Sequence, residues 1–532
     1  MSKNFFVVLC MILAASCKKP NIDTDYPPPI PVIKIPAVVT NDPSDVTRYS
    51  VILSGVITDT GKATINDQGF LIDTLPEPTI AQYQYKVSIT LDSIKTFTVK
   101  AGGLPANKYY FVRAYAQNPY GIAYGKVIKF ASFQEKIFND NIYLKTQQQV
   151  EEFGANNYSR IKGELNIDGP VTDLSPLKSL VVVNSGFKIK NTLLENFKGL
   201  ENLQFTGYIF PNDFRVEHNP NLKDFSGLSS LQGTRGLFYV IDNPSLTSMD
   251  GFDSLLSVGM GEFRIQDCDK LENIDGLKNM VFVGSSVYLI NNPLLTNIKG
   301  FRNLSTIKFG LYITNNASLQ NLDGLEKIEE LPFGFELTNN TSLKDIKGIS
   351  NLSFVGDKKK EYTGMGVIVI NGNTSLKNLS AFGKITNADY VVISNNTLLQ
   401  DLAGFNNLEK VTNTLKIENN PALQNLAGLG KLNSVGLLGI SFNNSLVDLK
   451  GLENLTVING PGTGISSNKN LQSLTGLENV IWDGGPISIL GNPALIDFCP
   501  LKPLFKLGYN KEFLAKDNAI NPSQDDIITM CQ

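Results

Sequence analysis

The only histidine among the 532 residues is His218, so a Ser-His-Asp centre or a histidine metal site would have to be built around that one imidazole. It stands beside Asn219 where the chain turns, which reads as an exposed turn residue. Asp267-Cys268-Asp269 gathers metal-ligating types, but Cys268 falls where neighbouring repeats carry Asn292 and Asn316, and so reads as a buried, unpaired thiol. Carboxylates occur singly, without the paired spacing that acid–base hydrolysis uses. No catalytic residue, metal site or cofactor is assigned. Forty-seven Lys and Arg against fifty Asp and Glu give a formal charge of −3 with no basic tail, which argues against a nucleic-acid partner.

The chemistry that remains is aromatic and cationic. Four positions before the ladder residue of successive repeats stand Arg215, Tyr239, Arg264, Tyr288, Tyr312 and Glu336; two positions before it stand Glu217, Ile241, Gln266, Ile290, Thr314 and Thr338. On strands about 4.8 Å apart, the three tyrosines would make a stripe about 15 Å long, interleaved with Arg264 and edged by Ile241 and Ile290. Stacked aromatics with a guanidinium suit the apolar faces of sugars or a protein hot spot. The alternative is that cross-strand Tyr and Arg pairs simply stabilise a solvent-facing sheet. Later repeats are blander at Val392, Gly439 and Ser488. Insertions at 208–213 and 356–366 both fall just before a strand, and the second carries Lys358-Lys359-Lys360 and Tyr362, either the rim of a ligand surface or a solvated excursion.

These side chains need a frame that repeats, and the sequence supplies one. A leucine returns about every 24 residues, at Leu222, Leu246, Leu271, Leu295, Leu319 and Leu343, and on to Leu471 and Leu495, for about fourteen repeats in all. Asn precedes most of these by three residues, as at Asn243, Asn316 and Asn420. Gly or Pro and then an apolar residue follow by five, as at Gly276-Leu277 and Gly428-Leu429. A fixed period of this size marks a solenoid, in which each coil buries its apolar face only against its neighbours. Within one coil, Leu432, Val435, Leu438 and Ile440 alternate with small or polar residues, a short strand with inward side chains. Asn443 then turns the chain, and its side chain can bond the backbone of its own turn and the next coil, so stacked coils would carry an internal asparagine ladder.

The unit Asn420-Pro-Ala-Leu-Gln-Asn-Leu-Ala-Gly-Leu, followed by Leu432, Val435 and Leu438 to Ile440, resembles the repeat of the receptor L-domain family. It overlaps the leucine-rich-repeat spacing at Val435, Leu438, Ile440 and Asn443. Most coils carry one more residue before the strand, as in Val411, Leu415, Ile417 and Asn420, which favours the L-domain side. The resemblance covers residues 138–532 and implies a right-handed, mainly β solenoid that binds a partner; L-domains bind unrelated ones, so it names none.

Both ends read as capped. Thr146 N-caps a short helix presenting Val150 and Phe153 inward, and 521–528 begins a final helix with acidic residues in its first turn. The solenoid is placed at 138–498 and the cap at 499–532, with Cys499 and Cys531 expected to form a disulfide in an oxidising compartment. That compartment follows from residues 1–16, where Lys3, a short apolar core and Leu13-Ala-Ala-Ser lead to Cys17. This resembles a bacterial lipoprotein signal, which implies that Cys17 carries the lipid and that the membrane is one partner. Lys18-Lys19 offers no inner-membrane retention signal, which favours the outer membrane; surface exposure is the expectation there, though these residues do not themselves set the orientation. Residues 17–31 form a Pro-rich tether. The block 32–133 holds short alternating strands at β-sandwich spacing. Its stretch from Gly103 to Asn118 resembles the later strands of a fibronectin type III domain, with Tyr110 as the tyrosine-corner residue six positions after Leu104. The expected function is non-catalytic: a surface adhesion or recognition protein whose solenoid binds a protein or glycan, with the sandwich as stalk. A structural envelope spacer is the alternative, and a carbohydrate-active β-helix enzyme the distant one.

Overall fold

In the computed structural model, residues 33–531 are described except 48–49, 90–94, 106, 133–134, 210–212 and 358–365. Cys17, the leader, the tether, and Lys358 to Lys360 with Tyr362 lie outside the described residues. The chain divides into two units, Met1–Gln134 and Glu135–Gln532.

The first unit is built from β1 (Ala37–Thr40), β2 (Ser50–Asp59), β3 (Asp67–Asp73), β4 (Tyr85–Ser88), β5 (Thr96–Gly102), β6 (Tyr109–Asn118), β7 (Gly121–Tyr124) and β8 (Ile128–Ala131). One antiparallel sheet runs β1-β2-β5; the other runs β4-β3-β6-β7, with β8 also paired to β6. Period-two alternation decides which side chains meet: Val51, Leu53 and Ile57 of β2 are buried, and they share one core with Phe70, Ile72, Phe97, Tyr110 and Val112. The ring of Tyr110 is fully buried, and its hydroxyl donates to the Pro105 carbonyl at 3.4 Å, so the one polar atom of that ring is not stranded in the core.

The second unit is a β-solenoid of about 15 turns over residues 137–516. Its long parallel sheet runs from Ile142–Leu144 to Phe513–Lys516, and a second parallel sheet of two-residue strands runs from Ile137–Phe138 to Thr306–Ile307. Leu432, Val435, Leu438 and Ile440 are fully buried, as the alternation requires. Identical inward positions stack from coil to coil. Phe214 lies against Phe238 with ring centroids 4.7 Å apart, and Phe238 against Phe263 at 4.9 Å.

The internal ladder is continuous and hydrogen-bonded. The backbone N–H of Asn292 donates to Asn316 Oδ1 at 3.2 Å, and Asn316 Nδ2 donates to the Leu289 and Thr314 carbonyls at 2.9 and 3.1 Å. The Asn316 N–H donates in turn to Asn340 Oδ1 at 3.1 Å, so each rung joins three coils. Thr192 replaces Asn at one early rung, donating through its hydroxyl to Asn219 Oδ1 at 2.6 Å. A second, exposed ladder runs beside it, one residue earlier: Asn315 Nδ2 donates to Asn291 Oδ1 at 2.7 Å, and Asn339 Nδ2 to Asn315 Oδ1 at 3.0 Å. Its members sit in the left-handed region, for example Asn291 at φ 53° and Asn315 at φ 58°, which Asn tolerates better than most residues. At the opposite corner the glycine is enforced by both conformation and space. Gly251 has φ +116°, and a Cβ there would come within 2.1 Å of the Phe225 carbonyl oxygen of the preceding coil.

The ends are closed by helices. At the first end, α1 (Gln147–Gly154) starts at Thr146, whose hydroxyl accepts from the Gln149 N–H at 3.3 Å, and it buries Val150 and Phe153. At the other, α2 (Lys502–Lys506) precedes the last strand, and α3 (Gln524–Met530) begins with a capping box between Ser523 and Asp526. Cys499 and Cys531 are disulfide-bonded, with Cα atoms 5.4 Å apart. The solenoid runs further than the sequence boundary at 498. Phe513–Lys516 pairs with Ile487–Leu490, and the ladder continues as Asn492 N–H donates to Asn518 Oδ1 at 3.0 Å. That last coil lacks the leucine that marks the others, which hid it.

Candidate functional site

The long sheet fixes the outward column by its register: Lys188, Arg215, Tyr239, Arg264, Tyr288, Tyr312 and Glu336 lie directly beside one another on successive strands. The sequence-predicted neighbours Glu217, Ile241, Gln266, Ile290, Thr314 and Thr338 form the adjacent column in the same register. All the predicted stripe residues are thus brought together.

What the rings do there differs from the sugar-platform expectation. Tyr288 and Tyr312 are parallel within 9° with centroids 4.7 Å apart, so they stack face to face along the solenoid. The Arg264 guanidinium lies 4.1 Å over the Tyr288 ring and 5.6 Å over Tyr239, whose other face is covered by Arg215 at 4.7 Å. Both faces of Tyr239 and of Tyr288 are therefore taken by neighbours in the column, while the Tyr239 hydroxyl turns to Glu262 and the Tyr312 hydroxyl lies back over Gly310. Sugar rings stack on aromatic faces, so these two tyrosines cannot serve as sugar platforms while the column is intact.

The cations are neutralised on the same face. Arg215 Nε donates to Asp213 Oδ2 at 2.9 Å and Nη1 to Glu217 Oε1 at 3.1 Å; Arg264 donates to Glu262 Oε2 at 3.3 Å and Gln266 Oε1 at 3.1 Å. Tyr239 donates its hydroxyl to Glu262 Oε2 at 2.8 Å. Burial, reinforced by Glu262, pushes the Tyr239 phenol up to about 12, so it stays a neutral donor. Burial, helped by Tyr288 and Glu336, also raises Tyr312. The Glu217 carboxyl is held below its usual range: burial pushes it up, but Lys190 and Arg215 outweigh that. Asp213, Glu217 and Glu262 were not singled out as partners of the arginines. The signal was present, because residues two apart on a strand share a face, and Asp213-Arg215-Glu217 and Glu262-Arg264-Gln266 alternate in this way.

The other chemistry-bearing residues are placed apart. His218 is half-exposed in a left-handed turn at φ 59°, its Nδ1 2.6 Å from Asp242 Oδ2. Cys268 occupies an internal ladder rung with a free, buried thiol, and burial pushes its pKa up to about 12, which makes it inert as a nucleophile. Its neighbour Asp267 faces the outer ladder, accepting from Asn291 Nδ2 at 2.9 Å, so the Asp-Cys-Asp run does not converge on one point. Among the described residues no group of three or more His, Cys, Asp or Glu is placed to hold a metal ion, and no helix is long and apolar enough to cross a membrane. No protein-family model matches this chain, and no curated protein matches it.

Proposed function

We propose that this chain is a non-catalytic, lipid-anchored envelope protein whose solenoid, of the receptor L-domain type, recognises a protein ligand through the Arg215–Tyr312 column, with a fibronectin III-type stalk in front of it. The observation that carries this reading is the edge-on stack. Tyr and Arg are the residues that dominate protein hot spots, and here they are pre-ordered by one another, so little side-chain entropy is left to lose on binding. With ring faces covered and charges balanced, the column suits a protein surface better than a glycan. The two three- and five-stranded sheets and the Tyr110–Pro105 hydrogen bond support the stalk assignment. The spacer reading is favoured by one fact, that Arg215 and Arg264 already have carboxylate partners, and the same experiment decides between the two.

Full-length protein in detergent, probed against arrays of extracellular proteins and glycans, is expected to bind proteins. Replacing Tyr239, Tyr288 and Tyr312 together by Ser is expected to weaken that binding about thirtyfold or more, at about 2 kcal/mol per true hot spot. A triple variant with full binding would leave the column as scaffold. The anchor is tested separately: Cys17→Ala is expected to release the protein from membranes or stall its processing, and unchanged partitioning removes the lipid assignment.

A further inference from the structure

Round the corner from the tyrosine column, the short-strand sheet has an outward column of its own: Phe205, Gly233, Ser257 and Phe282 lie on successive strands. Two large rings are thus separated by a glycine and a serine, which leaves a gap about 14 Å long at the usual strand spacing. The gap is a groove of about 320 Å³, and its lining includes Phe205, Tyr208, Gly233, Arg235, Leu256 and Ser257.

The dihedrals do not demand the glycine at its centre, and the space there is close without being closed. Gly233 is not in the left-handed region, and a Cβ there would meet only Ser257 O and Oγ, both at 3.3 Å. At Gly251 the same Cβ would meet a carbonyl at 2.1 Å. A strand glycine of ordinary dihedrals leaves room for a close approach: here the Ser257 backbone takes one side and the groove the other. The second observation is charge. Arg160 is paired with Glu135, Arg215 with Asp213 and Arg264 with Glu262, whereas Arg113 lies over the Tyr124 ring and Arg302 donates to the Lys299 carbonyl. Among the described residues, exposed Arg235 has no ion pair or side-chain hydrogen bond; its guanidinium lies 4.8 Å over the Tyr208 ring at the groove's edge. An unpaired guanidinium beside an apolar slot is complementary to a carboxylate carried next to an apolar group. Phe205 and half-exposed Leu256 give the slot mostly apolar walls, which fit a side chain rather than a sugar ring that needs many hydrogen-bond partners.

We propose that this groove is a second recognition subsite, taking an apolar side chain of a peptide segment whose adjacent acidic residue pairs with Arg235. The proposal rests on the protein-ligand reading above and deepens it. Arg235 and Tyr239 belong to one coil, four residues apart, so a single ligand can hold the corner from both sides.

The test is a displayed random-peptide library selected on the full-length protein in detergent, followed by titration of the selected peptides against Gly233→Val, Arg235→Gln and the triple tyrosine variant. The expected result is enrichment of peptides that place Asp or Glu beside Leu, Ile or Phe. Their affinity falls at least tenfold in Gly233→Val, which fills the slot, and in Arg235→Gln, an exposed change that leaves the fold alone. No enrichment, enriched peptides without an acid, or affinities unchanged in both variants would overturn the subsite. A parallel arm uses uronate oligosaccharides; their binding, if abolished by Gly233→Val, would assign the groove to acidic glycans and overturn the peptide. Binding that is lost in the tyrosine variant but kept in the two slot variants removes this subsite while sparing the column, and the reverse pattern removes the column while sparing the subsite.

Discussion

The two halves of the long sheet share one backbone and carry different exteriors. From Lys188 to Glu336 the outward column is Lys, Arg, Tyr, Arg, Tyr, Tyr and Glu; from Val369 it continues in register as Val392, Lys416, Gly439, Gly464 and Ser488. The inward neighbours barely change: Val240, Ile265, Leu289 and Ile313 in the first half, Ile393, Ile417, Ile440 and Ile465 in the second, all buried to within 1 %. The asparagine ladder crosses from one half to the other without a break, Asn340 N–H donating to Asn373 Oδ1 at 3.1 Å. The interior therefore sustains the coil whatever stands outside, and the exterior is free to vary with function.

That separation breaks most readily at adjacent residues. Phe238 points in, between Phe214 and Phe263, and Tyr239 points out. Phe238→Ala is expected to cost about 3–5 kcal/mol in urea unfolding, and Tyr239→Ser about 1 kcal/mol or less from lost cross-strand contacts. Comparable losses would mean that the stripe is part of what holds the coils together.

The two ladders sharpen the same contrast. Asn316→Ala leaves the buried Asn292 N–H without its acceptor and takes one from Asn292 Nδ2, at about 1–3 kcal/mol for each buried group orphaned, while the Thr314 carbonyl keeps the Asn291 N–H. Asn315→Gly keeps the left-handed turn and removes only exposed hydrogen bonds, so its change in melting free energy is expected within about 0.5 kcal/mol. Equal effects would show that the outer ladder carries the coil as the inner one does.

The smallest effect is expected in the bland half. Gly464 is not in the left-handed region, and a Cβ there would meet nothing within 4 Å. Gly464→Thr is expected to stabilise the solenoid by about 0.5–1 kcal/mol through lower unfolded-state entropy and better strand propensity. A loss in thermal unfolding instead would show that this half needs its bare surface for packing and is not simply undecorated.

Much of this was legible because it repeats. The inward anchors, the inner ladder and the outward stripe all follow from one period, the Thr146 cap from its residue type ahead of a short helix, and Cys268 took its ladder place by alignment alone. The outer ladder stood in the sequence as doubled asparagines, Asn291-Asn292, Asn315-Asn316 and Asn339-Asn340, but a pair of identical residues does not say which one faces in. Thr192 and the coil ending at Phe513–Lys516 escaped because their spacing and residue types depart from the period.

The sequence by itself determined the coil, its register and the assignment of every strand residue to inside or outside. A slip of one residue would bury Arg264 and expose Ile265, so no other register is tolerable. Only the tertiary structure decided how the outward side chains use one another. Residues about one repeat apart in sequence become neighbours at strand spacing, and their rotamers then choose between offering a ring face to solvent and stacking it on the next coil. The groove at Gly233 is of the same kind. It is made by small residues on two adjacent coils between two phenylalanines, and it exists only when those coils are laid side by side.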